Sequence, residues 1–223
     1  VVFVLKVTPT MLAQDIQPSR LERAVHKIRD LLELRGGADA ALVAYAGSAH
    51  LVMPITSDDD IIVTFAAELR PEIIPKEGDA TAEAVALANE QLTRAGRPGS
   101  IVLISDSIDP AQSTPLAELQ AAPVQILAVA GDQSKPLPLS SPPAPALNQN
   151  QLQASAQAMN GTRTVVSPDD RDVQRISRNI TTSFVAAQQR DGGDRWMDLG
   201  YWLTPLIALM SLVWFRPGWV VKW

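Results

Sequence analysis

Two hydroxyl side chains, Thr8 and Thr10, lie just beyond the first apolar run of the chain, residues 1–5. This run is typical of a buried strand. A helix begins soon afterwards, because Ser19 and Glu22 form a capping box and apolar residues then recur at helical spacing. A strand, a polar loop and a helix together place both hydroxyls at the carboxyl edge of a sheet, where open α/β folds bind ligands.

Strand and helix patterns alternate along the chain, as a doubly wound sheet requires. We expect strands at 1–5, 40–46, 50–54, 101–105, 124–130 and 163–166, with the second and third forming a hairpin and the last at an edge. We expect helices after Ser19 and at 59–69, 80–94, 116–121, 151–159 and 171–189. The predicted fold class is α/β, with a doubly wound, mostly parallel sheet covered by helices on both faces, in a domain at 1–190.

Prolines are concentrated between residues 131 and 150. Such a segment forms neither a helix nor a central strand, because proline lacks the backbone donor that both need. We interpret 131–150 as a loop inserted at the surface of the domain, and we favour a solvated spacer over a proline-rich docking ligand.

Nine residues between positions 11 and 24 fit one motif, and they are Met11, Ala13, Asp15, Pro18, Ser19, Arg20, Leu21, Arg23 and Ala24. The motif resembles Met-x-Ala-x-Asp-x-x-Pro-Ser-Arg-Leu-x-Arg-Ala of the von Willebrand factor A (VWA) domain in bacterial membrane-anchored, BatB-like aerotolerance proteins. Further matches are Gly47, the segment 54–56 with Asp58, and residues 101–106. The resemblance covers nearly the whole chain and implies a VWA, Rossmann-like fold.

The chain departs from this family at the metal-ion-dependent adhesion site. In the family, Asp-x-Ser-x-Ser, a threonine and a further aspartate hold Mg²⁺ through oxygen atoms, and one position stays free for a partner's carboxylate. Here Lys6 replaces the first aspartate, and Thr8 and Thr10 replace the two serines. Asp79 lies near the threonine position, and Asp106 matches the remaining aspartate. The resemblance therefore implies a degenerate metal site.

The sequence leaves two interpretations of this site open. In the first and favoured reading, Lys6 pairs with Asp79, Asp106 or both, and its ammonium replaces the metal. In the second, Lys6 extends to solvent and leaves Thr8, Thr10, Asp79 and Asp106 around a weakly bound Mg²⁺ or Ca²⁺. Asp79 could also serve only as the N-cap of the following helix.

Composition limits the function further. The chain has 223 residues and a net charge of −5, and this negative charge argues against nucleic-acid binding. The chain has no cysteine, and this excludes thiol chemistry. Its two histidines, His26 and His50, fit no catalytic motif, and no glycine-rich phosphate loop is present. We predict no enzymatic activity and no cofactor.

The end of the chain predicts a membrane span. Residues 199–215 carry no charge, and all five tryptophans lie within the last 28 residues, on both sides of this apolar run. Interfacial aromatic belts have this layout. We therefore expect a juxtamembrane hinge at 191–198, a transmembrane helix at 199–215 and a tail at 216–223.

The sequence and the family resemblance together predict a non-enzymatic, membrane-anchored protein-interaction module of a bacterial envelope complex. The resemblance implies as partners other VWA or tetratricopeptide-repeat membrane proteins and, indirectly, a MoxR-type AAA+ ATPase, in stress tolerance or periplasmic enzyme maturation. It also implies the bacterial inner membrane, with the domain in the periplasm. The alternative is a metal-dependent adhesion receptor that uses the residual Mg²⁺ or Ca²⁺ site.

Overall fold

The computed structural model describes residues 1–131, 137–139 and 141–190, the last four as backbone only. Within these ranges the chain forms six strands and six α-helices. The strands are β1 (Val2–Lys6), β2 (Ala40–Tyr45), β3 (Ala49–Thr56), β4 (Ile101–Ser105), β5 (Val124–Ala128) and β6 (Thr162–Val165). The helices are α1 (Arg20–Arg35), α2 (Asp59–Glu68), α3 (Thr81–Ala95), α4 (Ser113–Glu118), α5 (Gln149–Ala158) and α6 (Arg171–Arg190).

The six strands form one sheet in the order β3-β2-β1-β4-β5-β6. Only the pairing of β2 with β3 is antiparallel, and the other four pairings are parallel. The strand β1 lies between β2 and β4, so that Val4 is in register with Val43 on one side and with Leu103 on the other. The prediction of a mostly parallel, doubly wound sheet is confirmed.

Side chains of β1 alternate between two hydrophobic cores, one on each face of the sheet. Phe3 and Leu5 pack with α1, α2 and α6, whereas Val2 and Val4 pack with α3, α4 and α5. All five residues of β1 are buried and the first four are apolar, as is typical of a parallel strand covered on both faces. Its last residue, Lys6, is a lysine that is only 4% exposed.

Local signals place the helices largely where the sequence predicts them. The Ser19 hydroxyl accepts a hydrogen bond from the Glu22 amide, and Gly36 ends α1 with a φ of 57°. The short helix α4 is an exception, because it was predicted at 116–121 and lies at Ser113–Glu118. Pro115 is tolerated in the first turn of a helix, so the helix begins at Ser113. It ends at Glu118 because Leu119 is already extended.

The predicted hinge, span and tail at 191–198, 199–215 and 216–223 lie outside the described residues. Within the described ranges, no helix is both long and apolar enough to cross a bilayer. The described part of the 131–150 insertion contacts the domain, since the Ser141 hydroxyl accepts a hydrogen bond from the Gln14 amide at 3.0 Å.

Candidate functional site

Three of the predicted site residues meet at the carboxyl edge of the sheet. Lys6 ends β1, and Asp106 directly follows β4, the parallel neighbour of β1. Asp79 comes from the loop before α3. Gly47 lets this loop approach the turn after β2, because a Cβ there would lie 2.1 Å from the Glu77 carbonyl oxygen.

The Lys6 ammonium lies between the two carboxylates. Its Nζ is 3.0 Å from Oδ2 of Asp79 and 3.5 Å from Oδ1 of Asp106. It also donates hydrogen bonds to the carbonyl and hydroxyl oxygens of Ser107, at 2.8 and 3.0 Å. The ammonium thus has all its donors engaged within the protein. Lys6 therefore pairs with both acids and does not extend to solvent.

The N-cap of α3 is Ala80, one residue after Asp79, and Asp79 itself pairs with Lys6. Its Oδ1 accepts hydrogen bonds from the amide and the hydroxyl of Thr81, in the first turn of α3. Its Oδ2 accepts from Lys6 and from the Asp109 amide, the latter at 3.1 Å. One carboxylate thus holds the start of α3 and the loop after β4 against the end of β1.

Arg20 is a member of this site that the sequence analysis missed. Its side chain is fully buried, and it donates to Oδ2 of Asp106 at 3.2 Å and to both carboxylate oxygens of Asp15 at 2.7 and 2.8 Å. A signal was present, because Arg20 is the first residue of α1, where the helix dipole disfavours a cation. We call Lys6, Arg20, Asp15, Asp79 and Asp106 the charge cluster.

The proline-rich insertion closes over one side of the charge cluster. Arg20 donates a hydrogen bond to the Pro145 carbonyl oxygen at 3.1 Å, and the Gly131 amide donates to Asp15 at 2.8 Å. Burial alone would raise the pKa of Asp15. Hydrogen bonds from Arg20 and Gly131, together with the Arg20 charge, outweigh burial and lower this pKa below its ordinary value.

Thr8 and Thr10 lie in a cleft of about 410 Å³ at the same edge, which we call the carboxyl-edge cleft. Their hydroxyl oxygens are 2.9 Å apart and hydrogen-bonded to each other. Lys6 lines the inner part of the cleft, and exposed side chains such as Glu72 and Glu77 lie at its rim. The structure thus gathers all five predicted residues at one edge, with the threonines beside the charge cluster.

The arrangement does not fit a divalent cation. Mg²⁺ and Ca²⁺ need several oxygen ligands at about 2.0–2.6 Å. The space between Asp79 and Asp106 is taken by the Lys6 ammonium, which is within 3.5 Å of both. The ammonium thus supplies a positive charge between Asp79 and Asp106, at the position that a metal ion would need.

The histidines lie away from the charge cluster. His26 is exposed on α1. His50 is exposed on β3, where its Nε2 is 2.8 Å from the Ser48 hydroxyl oxygen. Among the described residues no carboxylate contacts His50, so this pair lacks the third group that orients the base in Ser-His catalysis.

Comparisons with known proteins agree with this geometry. Residues 1–108 match the family model of the von Willebrand factor type A domain. The crystal structure of BatB from Bacteroides thetaiotaomicron superposes with a TM-score of 0.67 at 25% identity, over 82% of this chain and 97% of that one. No curated protein matches the sequence.

Two further structures share the fold. An aerotolerance-related membrane protein from Bacteroides fragilis has a TM-score of 0.64 at 24% identity, over 83% of this chain and 98% of that one. A von Willebrand factor type A protein from Catenulispora acidiphila has a TM-score of 0.59 at 15% identity, over 82% of this chain and 42% of that one. The strand order and these matches lead to one conclusion: the chain has the von Willebrand factor type A fold, and its structure is similar to that of BatB.

Proposed function

We propose that this chain is a non-enzymatic VWA interaction module, anchored to the bacterial inner membrane by residues 199–215, with its domain in the periplasm. It serves an envelope complex with other VWA or tetratricopeptide-repeat membrane proteins. A MoxR-type AAA+ ATPase acts with this complex indirectly, in stress tolerance or periplasmic enzyme maturation.

The observation that carries the proposal is the position of Lys6. Its ammonium lies between Asp79 and Asp106 and supplies the positive charge that a metal ion would otherwise bring to the carboxyl edge. The carboxyl-edge cleft beside it remains open and is bordered by Thr8, Thr10, Glu72 and Glu77. Glu72 and Glu77 are exposed at the rim, so a protein partner that binds there meets side chains that are not part of the charge cluster.

The membrane part of the proposal rests on other observations. The charge-free segment 199–215 lies between two groups of tryptophans, as in interfacial belts. The Bacteroides fragilis structure that shares the fold is described as a membrane protein. Truncation after Gln189 should yield a soluble domain, whereas the full chain should need detergent.

A capture experiment with the full chain in mild detergent tests the proposal. The tagged chain should recover VWA or tetratricopeptide-repeat membrane proteins, identified by mass spectrometry. Thr10→Arg and Glu77→Arg add bulk and positive charge at the carboxyl-edge cleft, so both should reduce recovery. Thr93→Arg is the matched control, because Thr93 is exposed at the far end of α3.

Asp79→Arg, which the sequence alone suggests as an interface variant, is unsuitable. Asp79 has a side chain only 9% exposed and binds Lys6, so an arginine there would break the charge cluster. Equal recovery by wild type, Thr10→Arg and Glu77→Arg would place the interface elsewhere. Recovery of none of the proposed partner classes would refute the envelope-complex role.

A further inference from the structure

A second cleft, of about 450 Å³, opens at the amino edge of the sheet. We call it the amino-edge cleft. It lies between the ends of α1 and α3, the segment before β4 and the second half of α6. The length of β1 separates it from the charge cluster, which is about 13 Å at a rise of ~3.3 Å per residue. It is therefore a site of its own.

Part of the wall of the amino-edge cleft is apolar. One face of α6 carries Val173, Ile176 and Ile180, which are buried in the core, and then Phe184, which is 40% exposed. Across the cleft, Leu34 at the end of α1 is 54% exposed. These two large apolar side chains face a common space that no described residue fills.

Two polar groups in the same cleft lack partners. Ser100 is 1% exposed, and its hydroxyl oxygen makes no hydrogen bond with any described residue. The buried Nε of Arg35 is likewise without an acceptor among the described residues, and the nearby Asp59 carboxylate forms no ion pair with this guanidinium. Buried donors without acceptors cost free energy, and both residues line the amino-edge cleft, where a ligand oxygen would supply the missing acceptor.

The other arginine at this edge is already engaged. Arg97 is exposed and binds the Asp39 carboxylate at 3.0 Å. Arg35 is therefore the cation that a ligand would meet. Its planar guanidinium binds carboxylates and phosphates through paired hydrogen bonds, and arginine keeps its charge in proteins.

We propose that the amino-edge cleft binds a phosphate-bearing lipid, with its phosphate on Arg35 and Ser100 and its acyl chain between Leu34 and Phe184. The apolar side chains of Leu34 and Phe184 distinguish this ligand from free phosphate, and the Arg35 guanidinium distinguishes it from a neutral lipid. The cleft volume is typical of small-molecule sites. The inference depends neither on the carboxyl-edge partner nor on the predicted span.

Hydrogen exchange of the full chain in dodecyl maltoside tests this proposal, with dodecyl phosphate as the probe. Dodecyl maltoside has the same alkyl chain as dodecyl phosphate but a neutral head group, and inorganic phosphate supplies the head group alone. Dodecyl phosphate should slow amide exchange at 34–39 and 177–184 in a saturable way, by about tenfold at ten times its Kd if exchange requires release of the ligand. Inorganic phosphate should have no effect.

Three variants locate the site. Arg35→Gln and Leu34→Gln should each weaken dodecyl phosphate binding about tenfold, since one removes the charged donor and the other apolar contact. Leu34 is exposed, so its replacement leaves folding intact. Arg94→Gln is the control, because Arg94 is exposed on α3 and binds Glu90. Unsaturable protection, protection by inorganic phosphate, or unchanged affinity in both cleft variants would overturn the proposal.

Discussion

Replacing Lys6 by methionine tests the internal cation directly. Methionine keeps most of the side-chain volume but removes the ammonium from a position that is only 6% exposed. Asp79 and Asp106 would then face each other without the charge between them, and the Ser107 carbonyl would lose a donor at 2.8 Å.

The distances give the size of the effect. At an effective dielectric constant of about 20, charges 3.0 and 3.5 Å apart attract by roughly 5 kcal/mol each before desolvation is counted. Removing one partner of a buried ion pair costs about 3–5 kcal/mol net. Asp106 keeps Arg20, and Asp79 keeps the Thr81 and Asp109 amides, so we expect the lower end, about 3 kcal/mol.

Urea unfolding of the 1–190 fragment at neutral pH measures this cost. Lys6→Met should lower the free energy of unfolding by about 3 kcal/mol, whereas Lys76→Met, at an exposed lysine of the same edge, should change it by less than ~0.5 kcal/mol. A double-mutant cycle with Asp79→Asn should show that the two losses are not additive. Equal midpoints for Lys6→Met and wild type would refute the role of Lys6 as an internal cation.

Three further outcomes follow from the buried charges. Titration of Mg²⁺, Mn²⁺ or Ca²⁺ into the 1–190 fragment should give no saturable heat at micromolar concentrations. The double variant Lys6→Asp with Asp79→Thr should give a binding isotherm. A one-site isotherm for wild type would contradict the metal-free site. Lys27→Met should lower the free energy of unfolding by about 3–5 kcal/mol, because Lys27 forms a buried ion pair with Asp172 at 2.9 Å. An unchanged urea midpoint would show that this ion pair does not stabilise the domain. Asp15→Asn should destabilise the domain at neutral pH. The pKa of Asp15 is lower in the folded protein than in the unfolded chain, where it is about 3.9. The stabilisation by Asp15 is therefore present above about pH 3.9 and is lost as the pH falls through the folded pKa, so the free energies of unfolding of wild type and mutant should converge in acid. A difference that stays constant with pH would contradict this account.

Most of the fold could be predicted because its signals are local. The apolar run of β1 and the Ser19 cap of α1 act within a few residues, and both elements lie where the sequence places them. The error at α4 is also local, since Pro115 fits the first turn of a helix and the helix therefore begins at Ser113. The hairpin of β2 and β3 was likewise predicted from neighbouring residues.

The buried ion pairs could not be predicted in the same way. Lys27 looks like a surface residue of an amphipathic helix, yet it is 2% exposed and binds Asp172, which is 145 positions away. Arg20 and Asp15 were noted only as motif matches, and nothing local indicates that Arg20 also reaches Asp106. Such pairs depend on which helix covers which part of the sheet.

The sequence by itself determined that Lys6, Thr8, Thr10 and Asp106 gather at the carboxyl edge, because β1 and β4 are parallel and the loops that follow them meet there. It also determined that a lysine stands where the family has an aspartate. Only the tertiary structure decided that Lys6 binds Asp79 and Asp106 together, since its partner Asp79 is 73 positions away and the distances depend on the packing of loops against β1. The amino-edge cleft is likewise tertiary, because its walls come from helix ends that are far apart in the chain.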